Sequence, residues 1–297
     1  MTSFILIIIS SLFFSGIVAR VKSKTQGRRG PQILQPMYDV VRLLRKGSVY
    51  STTTSPIFRI APTVYFATVV MAIAVVPFGE QGGLISFDCD FVFFAYVLAL
   101  GKFFNIIASL DTGSSFEGMG ASREALFSML VEPAFFLLIG SLGLISGNTS
   151  FASIFGEFHL GTGESYAFAV IAAFVLLMVC MIENSRMPID DPKTHLELTM
   201  VHEVMILDNS GFDLGMISMA THLKFALYSA LIANLFIGSM PIAIAAAAFL
   251  GIQVLCAISV GITESFMARY RMSHNAQFIL ALTSLSLLIF FGVKFVA

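Results

Sequence analysis

Eight runs of apolar residues, near 3–20, 57–78, 91–110, 125–146, 166–182, 219–238, 242–263 and 275–296, constrain this chain more than any motif in it. Each is about as long as a helix needs to be to cross the hydrocarbon core of a bilayer, roughly 20 residues. Backbone amides and carbonyls find no water there, so each run must satisfy them internally. The predicted fold is all-α: a polytopic membrane helical bundle of about eight transmembrane helices, with short amphipathic and loop helices on the cytoplasmic side. No tandem repeat or low-complexity linker interrupts it, which predicts a single integral membrane domain over 1–297. A mean hydropathy of +0.88, with only 12% charged residues, makes the lipid bilayer the medium of the chain and leaves no basis for nucleic-acid binding.

Lysine and arginine placement sets the expected topology. The loop after the first span holds Lys22, Lys24, Arg28, Arg29, Arg42, Arg45 and Lys46, which assigns it to the cytoplasm and puts both termini outside. Alternation places the loops at 111–124, 183–218 and 264–274 on the same side. The opposite loops, 79–90 and 147–165, contain acids but no lysine or arginine. The first span has no basic residue before it and no small-residue cleavage pattern after it, so it reads as a retained helix rather than a signal peptide.

Two segments on the basic side carry local signals. Pro36 opens a short helix in which Ile33, Met37, Val40, Val41 and Leu44 share an apolar face, opposite Asp39, Arg42, Arg45 and Lys46, with Gly47 ending it. Such a helix either lies at the headgroup boundary or also frames the mouth of a cavity. The run DTGSSFEGMGASRE at 111–124 lacks the third glycine of a dinucleotide fingerprint and the Lys-Ser/Thr of a phosphate loop. It reads as a tight interhelix turn or a docking surface, with Ser122 as N-cap of the fourth span.

Few charges enter the membrane. Lys102 lies eight residues from the cytoplasmic end of the third span and Glu132 eight residues into the fourth, both about 12 Å deep at ~1.5 Å per residue. They are expected to pair, either as a structural salt bridge or as members of a proton or ion relay. Asn105, Glu183, Lys224, Gln253 and Glu264 extend that polar path, although Asn234 and Gln253 suit helix–helix hydrogen bonds better than a relay. The 30 phenylalanines and the methionines read first as packing or lipid-facing residues.

The loop from Glu183 to Gly211 concentrates the titratable groups: Glu183, Asp190, Asp191, Glu197, Glu203 and Asp208, with His195 and His202. The histidines are seven residues apart, about 10 Å along a helix, too far to share a metal, and no second histidine completes a metalloprotease motif. The cysteines Cys89, Cys180 and Cys256 have no metal-ligand spacing, so no metal site is indicated. Pro188 and Pro192 predict a turn, after which Thr194 caps a helix with Glu197 at its third position. On that helix His195, Thr199 and His202 form a row able to hold protons near neutral pH, the alternative being a solvated polar loop. Its interleaved Leu196, Leu198, Met200, Val201 and Val204 argue for burial.

At Gly27–Pro31, Asp111–Glu124, Glu183–Gly211 and Glu264–Arg271 the chain resembles the family of subunit 1 of respiratory complex I and its homologues in group 4 membrane-bound [NiFe]-hydrogenases. The runs DTGSSFEGMGASRE and DDPKTHLELTMVHE look like the hydrogenase branch, of the formate hydrogenlyase and hydrogenase 4 type. Arg186, Pro188, Asp190, Pro192, Ser210 and Gly211 match the frame shared with complex I, whose acidic loop otherwise runs ENRAPFDLPEAE…TEYSG. Those departures favour hydrogenase over quinone chemistry, with a quinone-site-forming subunit of a complex I-type NADH dehydrogenase as the alternative and a free-standing transporter as a third reading.

The resemblance implies a non-catalytic subunit without its own cofactor, in a prokaryotic cytoplasmic (inner) membrane. Its partners would be a nickel–iron large subunit, an iron–sulfur small subunit and antiporter-like membrane subunits. Lys102, Glu132, Glu183, Asp190, Asp191, His195, Glu197, His202, Glu203, Asp208 and Glu264 are then relay candidates. Arg28, Arg29, Asp111, Glu117, Arg123 and Arg186 are candidates for docking the peripheral arm.

Overall fold

Each apolar run folds as a helix, and among the described residues eight helices are long and apolar enough to cross a membrane. The computed structural model describes residues 1–158, 163–190, 201–238 and 240–296. Among the described residues the chain order is α1 (Thr2–Thr25), α2 (Gln35–Leu44), α3 (Pro56–Val75), α4 (Asp90–Asp111), α5 (Ser115–Ser146), α6 (Phe151–Glu157), α7 (Gly163–Glu183), α8 (His202–Met205), α9 (Gly211–Ile237), α10 (Ile242–Phe266) and α11 (Met272–Val296). All but α2, α6 and α8 are spans, so the chain is a multi-pass membrane protein.

The spans pack around α9, whose apolar window is 83% buried and which touches α1, α2, α3, α7 and α10. Aromatic rings fill the interior. Phe14 stacks on Phe225 at 5.3 Å, and Phe94 meets Phe135, Phe151 and Tyr228 at 5.7, 5.4 and 6.4 Å. The ends of α1, α4, α7 and α10 gather with the starts of α3, α5, α9 and α11 on one face, called here the basic-loop face because it carries residues 26–55. Direct bonds hold it together: Asp111 Oδ2 accepts the Ser55 amide at 2.6 Å, Ser210 Oγ accepts the Val49 amide at 2.9 Å, and Asn275 Nδ2 donates to the Ile189 carbonyl at 3.3 Å. On the opposite face, fully buried Asp90 accepts the Ser150 hydroxyl and the Phe151 amide at 3.0 and 2.6 Å, fixing the start of α6.

One boundary departs from expectation. The segment 115–124 is the first three turns of α5 rather than a turn, and the fourth span begins with Ser114 as its N-cap. Ser122 is therefore an internal helical residue whose hydroxyl donates to the Met119 carbonyl at 2.9 Å. At 32 residues α5 is about 48 Å long, well over the ~30 Å hydrocarbon thickness, so a polar first segment can extend beyond the lipid without leaving the helix. The expected amphipathic helix forms as α2, with Pro36 in its first turn and Val40 buried, and its Leu44 packs against Gly215 of α9.

Candidate functional site

Four charged side chains from four spans converge below the basic-loop face. Lys102 of α4 reaches Glu124 Oε1 of α5 at 2.9 Å and Glu183 Oε1 at the end of α7 at 3.0 Å. Lys224 of α9 completes the chain, meeting Glu183 Oε2 at 2.7 Å and donating to the Glu183 carbonyl at 2.9 Å. Two ammonium groups face two carboxylates, all four residues are buried, and the cluster is electrically balanced. Balance matters because a lone charge in such a site costs several kcal/mol. Ser128 accepts from Lys102 at 2.7 Å, and Ser185 donates to Glu124 Oε2 at 3.2 Å.

The expected Lys102–Glu132 pair is replaced by these contacts. Glu124, Ser128 and Glu132 recur every four residues on one stripe of α5, about 12 Å from first to last. Lys102 meets the upper two, and Glu132 lies exposed at the deep end. Between them lies a cavity of about 240 Å³, lined by Lys102, Ser128, Glu132, Glu183 and Tyr228 together with apolar residues of α4 and α5. The cavity thus joins the buried cluster to a carboxylate on the outside of the bundle.

Above the cluster sits the end of the acidic loop. Asp190 Oδ2 accepts the amides of Val201 and His202 at 2.9 and 3.3 Å while Oδ1 pairs with Arg269 at 2.9 Å, so this buried aspartate fixes the start of α8. Gly120 lets α8 approach α5. A Cβ there would lie 2.8 Å from the Val201 carbonyl oxygen and 3.1 Å from Met205 Cγ. His202, Tyr65, Asn105, Glu124, Glu183 and Met205 then enclose a void of about 10 Å³ immediately over the charges. Asp191, His195 and Glu197, with the helix expected after Thr194, lie outside the described residues.

His202 belongs to the loop side of this arrangement. Burial disfavours its charged form; Glu124 opposes that, whereas Lys224, Lys102 and Arg186 reinforce it, and the net effect is a pKa below the ordinary 6.5. The unfolded chain therefore takes a proton that the folded chain resists, so His202 costs stability as pH falls below about 6.5 and not above it. Between pH 7.5 and 5.5 the thermal midpoint of the purified protein is expected to fall about 2–4 °C further than that of His202→Gln, as read by unfolding scans across that range. Equal slopes would place the pH sensitivity elsewhere.

The remaining candidates separate by position. Glu264 is buried and bridges Arg186 at 3.2 Å and Lys22 at 3.5 Å, while Arg186 also lies over the Phe225 ring at 4.9 Å. Asp208 and Glu203 sit at the loop surface, exposed and half-buried, and the Asp208 amide donates to Glu117 Oε1 at 2.9 Å. Of the six docking candidates, Arg28 and Arg29 are exposed and Arg123 is half-buried. Glu117 is fully buried and accepts the Asp208 amide, Asp111 accepts the Ser55 amide at the start of α3, and Arg186 braces Glu264, so each of these three has an internal bond. Glu124 escaped the sequence reading because the helix start was set too late. Its four-residue spacing from Ser128 and Glu132 was the available signal.

The fold and the site define a class: a multi-pass helical membrane protein with a balanced charge cluster buried among four spans. The NADH dehydrogenase family matches residues 1–293, and the chain belongs to that family. It is 30% identical to hydrogenase-4 component C of Escherichia coli, over 78% of this chain and 73% of that protein. Formate hydrogenlyase subunit 4 of the same organism is 28% identical over 87% and 86%, and the corresponding NADH-quinone oxidoreductase subunit of Thermomicrobium roseum 26% identical over 74% and 71%. The fold is shared with a chain of the membrane-bound sulfane sulfur reductase, an archaeal respiratory membrane complex, at a TM-score of 0.80, 19% identity and 98% coverage of both chains. The chain is thus a membrane subunit of a complex I-like or group 4 hydrogenase-type assembly.

Proposed function

We propose that this chain is the membrane-anchoring and ion-coupling subunit of a group 4 [NiFe]-hydrogenase complex of the formate hydrogenlyase type. The carrying observation is the buried Glu124–Lys102–Glu183–Lys224 cluster, capped by the His202 segment and joined by a cavity to Glu132. Protonating Glu183, from the side that His202 and α8 cover, unbalances a neutral cluster in low dielectric. The resulting net positive charge favours proton release at the far end of the cavity. A redox-driven change in a docked arm is thereby converted into a charge change at Glu132.

The arm would sit on the basic-loop face, which is cytoplasmic in this reading, against exposed Arg28 and Arg29. Its nickel–iron and iron–sulfur centres would belong to the large and small subunits and carry the electrons, and this chain would serve them without a cofactor of its own. Antiporter-like subunits would lie against the Glu132 side, because an intramembrane carboxylate left in lipid is costly. Higher identity to the two hydrogenase relatives than to the quinone oxidoreductase subunit supports this branch.

The test is purification of the assembled complex through an affinity tag on this chain. Nickel and iron are expected in the purified complex, together with hydrogen-linked activity that ceases to move ions when the arm is stripped off. A nickel-free complex with bound quinone and quinone-site inhibition would overturn the assignment.

A further inference from the structure

The wall formed by α1 and α10 carries a feature that the coupling path does not use. The two helices are tight near the basic-loop face: a Cβ on Gly261 would stand 2.9 Å from Val21 Cβ, Lys22 meets Glu264 at 3.5 Å, and Thr25 donates to Ser265 Oγ at 2.7 Å. Deeper in the membrane they border a crevice of about 280 Å³, lined by Ile9, Phe13 and Ile17 of α1, Leu250 and Val254 of α10, and Ile33. Ile9, Phe13 and Val254 are 42%, 40% and 42% exposed, so the crevice opens sideways toward lipid and not into the bundle. The segment after α1 folds back over its upper end. There the Ile33 carbonyl rests directly against Gly16, where any side chain would collide with it.

Charge is arranged around the same opening. At 100° per residue, positions 9, 13, 17, 20 and 24 of α1 fall within an arc of about 80°. Exposed Arg20 and Lys24 therefore continue the apolar stripe of Ile9, Phe13 and Ile17 into the headgroup zone. Arg28 and Arg29, also exposed, follow on the returning segment. No acidic residue occurs before Asp39, which pairs with Arg42 at 3.7 Å, and Glu264 is buried between Lys22 and Arg186.

We propose that the α1–α10 crevice seats an acyl chain of one anionic phospholipid, whose phosphate is held by Arg20 and Lys24 with Arg28 and Arg29 beside it. The lateral opening admits a molecule from the bilayer, and the lining suits an alkyl chain: it is apolar apart from Ser10 and Gln253, which donate to the Ile7 and Ala226 carbonyls. A rim of cations alone selects a headgroup with net negative charge over a zwitterionic one, whose ammonium would meet them. The bound lipid would brace the Gly27–Pro31 segment against α1.

The experiment extracts lipid from the assembled complex after washing in mild detergent and quantifies it by mass spectrometry. Wild-type protein is expected to retain phosphatidylglycerol or cardiolipin, and the Arg20→Gln/Lys24→Gln double variant to lose it about tenfold or more. Phe13→Trp, which fills the crevice without changing charge, is expected to lose it as well. Both changes are at exposed positions, and an unaltered gel-filtration profile shows that the complex still assembles. Undiminished anionic lipid in both variants would overturn the site, as would selective loss of a zwitterionic lipid or a quinone instead.

Discussion

Replacing Lys102 by methionine is expected to remove most of the protein from the membrane. Lys102 serves Glu124, Glu183 and Ser128 at 2.9, 3.0 and 2.7 Å, and its side chain is buried among four spans. Without it, Lys224 still compensates Glu183, but Glu124 keeps only the Ser185 hydroxyl at 3.2 Å. A buried charge stripped of its partner costs about 3–5 kcal/mol, a large part of the roughly 5–15 kcal/mol that holds a typical protein folded. The double variant Lys102→Met/Glu124→Gln removes one charge of each sign and restores the balance. Its level in the membrane fraction and its thermal midpoint are expected to return most of the way to wild type, while ion transport by the assembled complex stays absent. If the single variant accumulates and couples normally, the cluster is neither a structural keystone nor part of the path.

Most of the architecture was legible because hydrocarbon imposes a length and an apolar composition on every span, and both are written locally in the sequence. The start of α5 was not. Its first turns, SFEGMGASRE, lie beyond the apolar stretch, where a helix is stabilised by caps and packing and needs no hydrophobic run. That error propagated to the ion pairing: with Glu124 assigned to a loop, Lys102 had only Glu132 at matching depth. Glu183 and Lys224 were recognisable as polar candidates, yet their meeting with Lys102 depends on α4, α7 and α9 being neighbours, which no local pattern encodes. Glu117 and Arg186 looked like surface charges because their partners, the Asp208 amide and Glu264, are 91 and 78 residues away. Of the two histidines, His202 lies over the cluster and His195 lies outside the described residues.

Glu132→Gln is expected to abolish coupled ion transport while leaving assembly and the turnover of the arm near wild type. Glu132 is exposed on a span, four residues below Ser128 and at the far end of the cavity from Glu183. Glutamine keeps its size and most of its hydrogen bonding but holds no transferable proton, so a relay ending there stops without a change in packing. A purely structural carboxylate predicts a different pattern. Ionised and facing lipid it would cost on the order of 3 kcal/mol, and Glu132→Leu would then stabilise the complex and spare its transport. The relay reading requires that leucine also abolish transport, whatever it does to stability. Proton or sodium movement measured in liposomes containing the complete complex separates the two, because the leucine variant loses transport only if the carboxylate itself carries the proton.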